Sequence, residues 1–127
     1  MEVINVVAAA IAAWLFGAVW YGLMGKQWMD AVGLKPENID KSDKKPFIIS
    51  FVCILLVAGM MRHIFMLSGI NTVSLGIMAG FGLGAFIATP WIVMNYTFAG
   101  RPAKLMMIDG VNCVVATTII GIVLTLF

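Results

Sequence analysis

The stretch Gly76-Ile77-Met78-Ala79-Gly80-Phe81-Gly82-Leu83-Gly84-Ala85-Phe86-Ile87-Ala88 decides how the chain is read. As a helix it sets Gly76, Gly80, Gly84 and Ala88 four residues apart, so one side is a groove almost without side chains, along which another backbone can lie. Glycine disfavours helix in water by roughly 1 kcal/mol relative to alanine. Such a run is out of place in a soluble helix and at home in a bilayer, where small residues form helix contacts. The stripe is a packing surface, not an active site.

Composition agrees. Of 127 residues 62% are hydrophobic and 11% charged, with a mean hydropathy of +1.04, against about 45–50% apolar in an ordinary globular domain. A water-soluble monomer is excluded. Seven charged residues fall between Lys35 and Lys45, with Lys26 and Asp30 just before them, and long uncharged runs remain elsewhere. The net charge of +2 is too small and too localised for nucleic-acid binding.

The runs predict a single all-α domain over residues 1–127, with spans at about 3–24, 46–67, 73–97 and 103–127. Each is long enough at 1.5 Å per residue to cross a core of about 30 Å. Residues 1–25 lack a positive n-region, so the first run is expected to stay as a helix rather than be cleaved. It repeats small residues at Ala9, Ala13 and Gly17 and closes on Trp20-Tyr21-Gly22. Gln27 to Val32 suits a short surface helix with Trp28, Met29 and Val32 inward and Gly33 ending it, and Pro36 opens another turn. The polar turn Ser68 to Thr72 and the loop Phe98 to Pro102 make the spans two antiparallel hairpins. Pro90 removes a helical donor, predicting a kink at Phe86 to Pro90. In the last span Asp109, Cys113, Thr117, Gly121 and Thr125 recur every four residues as a small, polar stripe. The two hairpins share a proline before each second helix, which admits a parallel duplication about an axis along the membrane normal.

Orientation follows from the basic residues. Lys26, Lys35, Lys41, Lys44 and Lys45 lie in the first loop, and Arg101 and Lys104 in the third. The positive-inside rule makes loops 26–45 and 98–104 cytoplasmic, with both termini outside.

Trp20-Tyr21-Gly22, then Trp28 and Gly33-Leu34, then Arg101-Pro102-x-Lys104-Leu105 with Ile108-Asp109 resemble, over essentially the whole chain, the domain of unknown function 1761 family of small bacterial four-helix membrane proteins. The resemblance implies four spans in a bacterial inner membrane and no established activity. In similar sequences an aromatic residue often sits a few positions after the aspartate, where this chain has Val111-Asn112.

Asp109 reads two ways. A carboxylate inside a span binds a cation, proton or polar ligand, or it is structural, paired with Arg101 or Lys104 or accepting from Trp20 or Tyr21. Trp20, Tyr21, Trp91, Asn95 and Asn112 are expected at similar depth, as a ligand pocket or as an aromatic belt with interhelical hydrogen bonds. Arg62 and His63 form an outer-side polar pair: Arg62 snorkels or meets Glu2, and His63 is a candidate pH sensor. Cys53, Cys113 and His63 have no metal-site spacing, no cofactor motif is present, and no nucleophile stands beside a base, so neither metal, cofactor nor enzymatic activity is expected. The small and polar stripes point to self-association or a membrane-protein partner. Two functions fit: a homo-oligomeric transport or channel-type protein with a cytoplasmic-side polar site, or a non-catalytic auxiliary or scaffold subunit of a larger membrane complex.

Overall fold

The computed structural model describes residues 2–38 and 42–127, so Asp40 and Lys41 of the charged loop lie outside it. The described chain is all-α: α1 (Glu2–Leu23), α2 (Gly25–Val32), α3 (Lys45–Ser68), α4 (Val73–Leu83), α5 (Thr89–Phe98) and α6 (Ala103–Leu126). A 3₁₀ turn covers Pro36–Asn38, and a π-helical turn, Gly84–Ala88, joins α4 to α5 without a break. Four helices are long and apolar enough to cross a membrane: Val3–Leu23, Lys45–Ser68, Val73–Phe98 and Ala103–Leu126. These are the four expected spans.

Local chemistry sets the ends. Gly33 takes the left-handed conformation (φ 86°) that closes α2, its N–H and that of Leu34 both donating to the Met29 carbonyl. Gly100 (φ 72°) does the same after α5, where the Arg101 N–H donates to Tyr96 O at 2.8 Å. Thr72 caps α4 by accepting from the Leu75 N–H. Trp28, Met29 and Val32 are half-buried while Lys26, Gln27 and Asp30 are exposed, as an amphipathic α2 requires.

Side-chain packing joins the first hairpin to α6. Ala9, Ala10 and Ala13 of α1 meet Ala58, Met61 and Phe65 of α3 and Ala116, Ile120 and Leu124 of α6 in one buried cluster. The second hairpin is joined differently. A Cβ placed on Gly76 would collide with the Gly121 carbonyl, one on Gly80 with the Thr117 carbonyl, and one on Gly84 would stand 2.7 Å from the Val114 Cα. The glycine row of α4 and the polar row of α6 are therefore two halves of one contact, with backbone lying on backbone.

That geometry bears on two expectations. Some small or polar row was expected to face another protomer or a membrane-protein partner; within the chain, those of α1, α4 and α6 have partners of their own. A parallel duplication would pair α3 with α4 as α6 pairs with α1, yet α1 packs closely on α6 while α3 and α4 make no comparable contact. α1, α3 and α6 pack around one cluster and α4–α5 lies on α6, so the four spans are not two symmetric halves.

Gly82 points into open space, with nothing within 4 Å of an added Cβ. Gly80→Ala should therefore destabilise the protein by about 1–3 kcal/mol through overpacking, whereas Gly82→Ala should leave it nearly unchanged. Thermal unfolding of both variants in detergent checks this; equal tolerance would mean that the seam is not where the helices touch.

Candidate functional site

Three helices converge where α6 enters the membrane. Pro102, in extended conformation (φ −73°, ψ 155°), turns the chain into α6, and Leu105 and Ile108, each 3% exposed, anchor its first turns. Asp109 stands about 9 Å along the helix from Ala103. One carboxylate oxygen accepts from the Tyr21 hydroxyl of α1, and the other accepts from the Tyr96 hydroxyl of α5 at 2.6 Å. The Trp20 indole N–H donates to the Ile108 carbonyl at 2.9 Å. Trp28 of α2 meets the Tyr21 ring edge-on at 6.5 Å, and Phe16 stacks on Trp20 at 6.2 Å.

The loop closes the cluster from the polar side. Arg101 donates to the Val32 carbonyl at 3.3 Å, placing a cation at the carboxyl end of α2, where the helix dipole favours it. Among the described residues neither Arg101 nor Lys104 forms an ion pair with Asp109, which instead rests on two phenols. Hydrogen bonds to an ionised group are worth about 1.5–3 kcal/mol each. Even at the middle of a span a charge costs about 2.5–3.5 kcal/mol on insertion scales, and Asp109 lies in the first third of α6, so two such bonds are enough to hold a carboxylate here. It also lies beyond the first turn of α6, where the helix dipole has little effect.

The structure brings Trp20, Tyr21 and Asp109 together and places Asn112 one turn deeper. The buried Asn112 Oδ1 has no hydrogen-bond partner among the described residues, and a Cβ on Gly17 would lie 3.6 Å from it. Trp91 (59% exposed) and Asn95 face outward and do not join the cluster. Half-buried Arg62 and exposed His63 line a separate groove with Val3, Val6 and Val7 near the other membrane face. The Glu2 side chain, a possible partner for Arg62, lies outside the described residues.

Sequence reasoning missed Tyr96, and the π turn explains why. In a regular helix, at about 100° per residue, Trp91 and Asn95 would lie within about 20° of the Gly84 direction and Tyr96 about 120° away. Pro90 has no N–H to give the Phe86 carbonyl, and the chain widens just before it: the Thr89 N–H and hydroxyl both bond Gly84 O, five residues back. The wide turn absorbs one residue, which swings Trp91 and Asn95 off the α6-facing side and brings Thr89 and Tyr96 onto it. Thr89 accordingly packs on Gly110, its Cγ2 being 3.2 Å from where a Cβ would stand.

Two more polar contacts were not anticipated. Asn5, 2% exposed, donates its amide to the Phe127 carbonyl. Ser50 accepts from the Trp14 indole N–H at 3.1 Å and donates to Phe47 O at 2.9 Å, so its hydroxyl is engaged in packing.

Fold and site define a small polytopic α-helical membrane protein with one intramembrane carboxylate held by phenols from two other spans. The chain belongs to the DUF1761 family, described as protein of unknown function, whose model matches residues 4–125. No curated protein and no solved structure matches the chain.

Tyr21→Phe and Tyr96→Phe should each cost about 1.5–3 kcal/mol of stability, the value of a hydrogen bond to a charged acceptor. In an Asp109→Ala background the same substitutions should cost almost nothing. A double-mutant cycle on detergent-solubilised protein measures the difference; full additivity would show that the phenols act independently of the carboxylate.

Proposed function

We propose that this protein is a small transport-type membrane protein whose Asp109 cluster engages a proton or small cationic solute from the cytoplasmic side. The observation that carries the reading is a carboxylate inside a span, oriented by Tyr21 and Tyr96, with no lysine or arginine paired to it among the described residues. Carboxylates inside spans mark proton and cation pathways, and the Asp109 oxygens offer acceptors to either. The proposed role is non-enzymatic: the carboxylate, phenols and indole of the cluster are engaged with one another in joining the helices.

One feature favours the second reading, an auxiliary or scaffold subunit. Beyond Asp109 the polar row of α6 turns inward: Thr117 donates to Cys113 O at 2.9 Å and Thr125 to Gly121 O at 2.8 Å, while the glycine contact fills the space beside them. A solute crossing the outer half therefore requires either movement about the π turn or a path between protomers of a homo-oligomer.

Native mass spectrometry from mild detergent, paired with flux assays in liposomes, separates the two. The transport reading expects a homomer and a proton or alkali-cation flux that Asp109→Asn lowers at least about ten-fold, in line with the loss of one charged hydrogen-bonded group. Co-purification at fixed ratio with a larger membrane protein, together with no flux, would replace it with the auxiliary reading.

The positive-inside count supports a bacterial cell-membrane protein with loops 26–45 and 98–104 in the cytoplasm and both termini outside. Cysteines introduced at Asn38 and Asn71 in intact cells should differ, only Asn71→Cys reacting with an impermeant thiol reagent; the opposite pattern would invert the topology.

A further inference from the structure

A groove of about 600 Å³ runs between the middle of α1 and the loop-side end of α3, lined by Trp14, Lys44, Phe47, Ile48, Phe51 and Val52. We propose that it binds one anionic phospholipid, with an acyl chain along the aromatic wall and the phosphate against Lys44 and Lys45. The inference is independent of the role given to Asp109.

The α3 side is one helix face. Lys44, Phe47, Ile48, Phe51 and Val52 recur at three- and four-residue spacing, and from Lys44 to Val52 the face extends about 12 Å, most of one leaflet of a core about 30 Å thick. It is open to the bilayer: Phe47 is 57%, Ile48 63% and Val52 49% exposed.

The opposite wall is fixed in place. Trp14 is held through its indole N–H by Ser50 at 3.1 Å, and its ring meets Phe51 edge-on at 5.6 Å and 82°. With that polar group already bonded, the indole adds only apolar surface to the groove. Its shape is thus set before a chain enters, which lowers the ordering cost of binding.

Charge selects the headgroup. Lys44 lines the mouth and Lys45 follows it, while the neighbouring Asp43 carboxylate is turned to the helix start, accepting from the Lys45 backbone N–H at 3.0 Å. Two ammonium groups against one engaged carboxylate leave the mouth cationic at the level where phosphates lie. The apolar groove between α5 and α6, lined by residues such as Val93, Met107 and Val111, has no charged residue in its lining. That contrast is why the groove at Lys44, and not the one between α5 and α6, is assigned an anionic lipid; the groove at Arg62 lies near the other membrane face and has no lysine beside the arginine.

The test is native mass spectrometry of the full chain released from mild detergent after equilibration with equal phosphatidylglycerol and phosphatidylcholine of identical chains. One retained phosphatidylglycerol is expected. In Lys44→Gln/Lys45→Gln the preference should fall about 25-fold, roughly five-fold per lysine. Ile48→Trp, which fills the groove, should reduce retention of both lipids while circular dichroism shows unchanged helix; if that variant does not fold, the lysine variant carries the test. Equal retention of the two lipids by the unaltered chain would overturn the proposal, as would a preference that survives loss of both lysines. So would disulfide-linked dimers of Ile48→Cys in membranes, which would give the groove to a second copy.

Discussion

The rest of the fold depends on the absence of side chains where α4 crosses α6. In lipid, no hydrophobic effect presses apolar helices together, because the tails around them are as apolar as leucine. Close approach must be rewarded by dispersion and by interhelical polar contact, both of which fall steeply with distance. Gly76, Gly80 and Gly84 remove the obstacle on one helix and Gly121 removes it on the other, until carbonyl oxygens and α-carbons touch across the interface. With α4 fixed in this way, α6 becomes the axis of the molecule, holding α1 on one flank and the third span on the other.

The second consequence is convergence. Trp20 and Tyr21 end the first span and Ile108 and Asp109 begin the last, some ninety positions apart in the chain, yet both pairs are joined by hydrogen bonds. Arg101, from the loop before Asp109, reaches the end of α2, the helix that follows Tyr21. The segments through which the chain resembles its family are thus neighbours in space. They build one cluster that fastens three spans and the surface helix at the same membrane face. A carboxylate is suited to this because it accepts from several donors at once, where an amide or hydroxyl would accept from fewer.

Much of this was legible in the residues. Span lengths, loop glycines, the amphipathic α2 and the proximity of Tyr21 to Asp109 all follow from periodicity, hydropathy and capping rules, since each is decided within a few residues. What was not legible was which partner each stripe would choose. Small-xxx-small spacing says that a helix can be approached closely, but not by what, and all three rows have partners inside the chain. Tyr96 was not among the residues expected at that depth, and a helical wheel would not have added it: a wheel assumes constant pitch, which the π turn before Pro90 breaks. Trp91 and Asn95 were expected in the cluster from their depth in the span, and depth does not fix the face a side chain takes.

The π turn also has a comparative meaning. It is the trace of one residue inserted into a helix without breaking it, so the third span serves two purposes in two different phases, lying on backbone before Pro90 and reaching with a side chain after it. A relative that keeps this fold but has a regular third helix should align with this chain only through a one-residue gap between Gly84 and Ala88. Without that gap its equivalent of Tyr96 would be sought at the wrong column, and the carboxylate would be credited with one phenol instead of two.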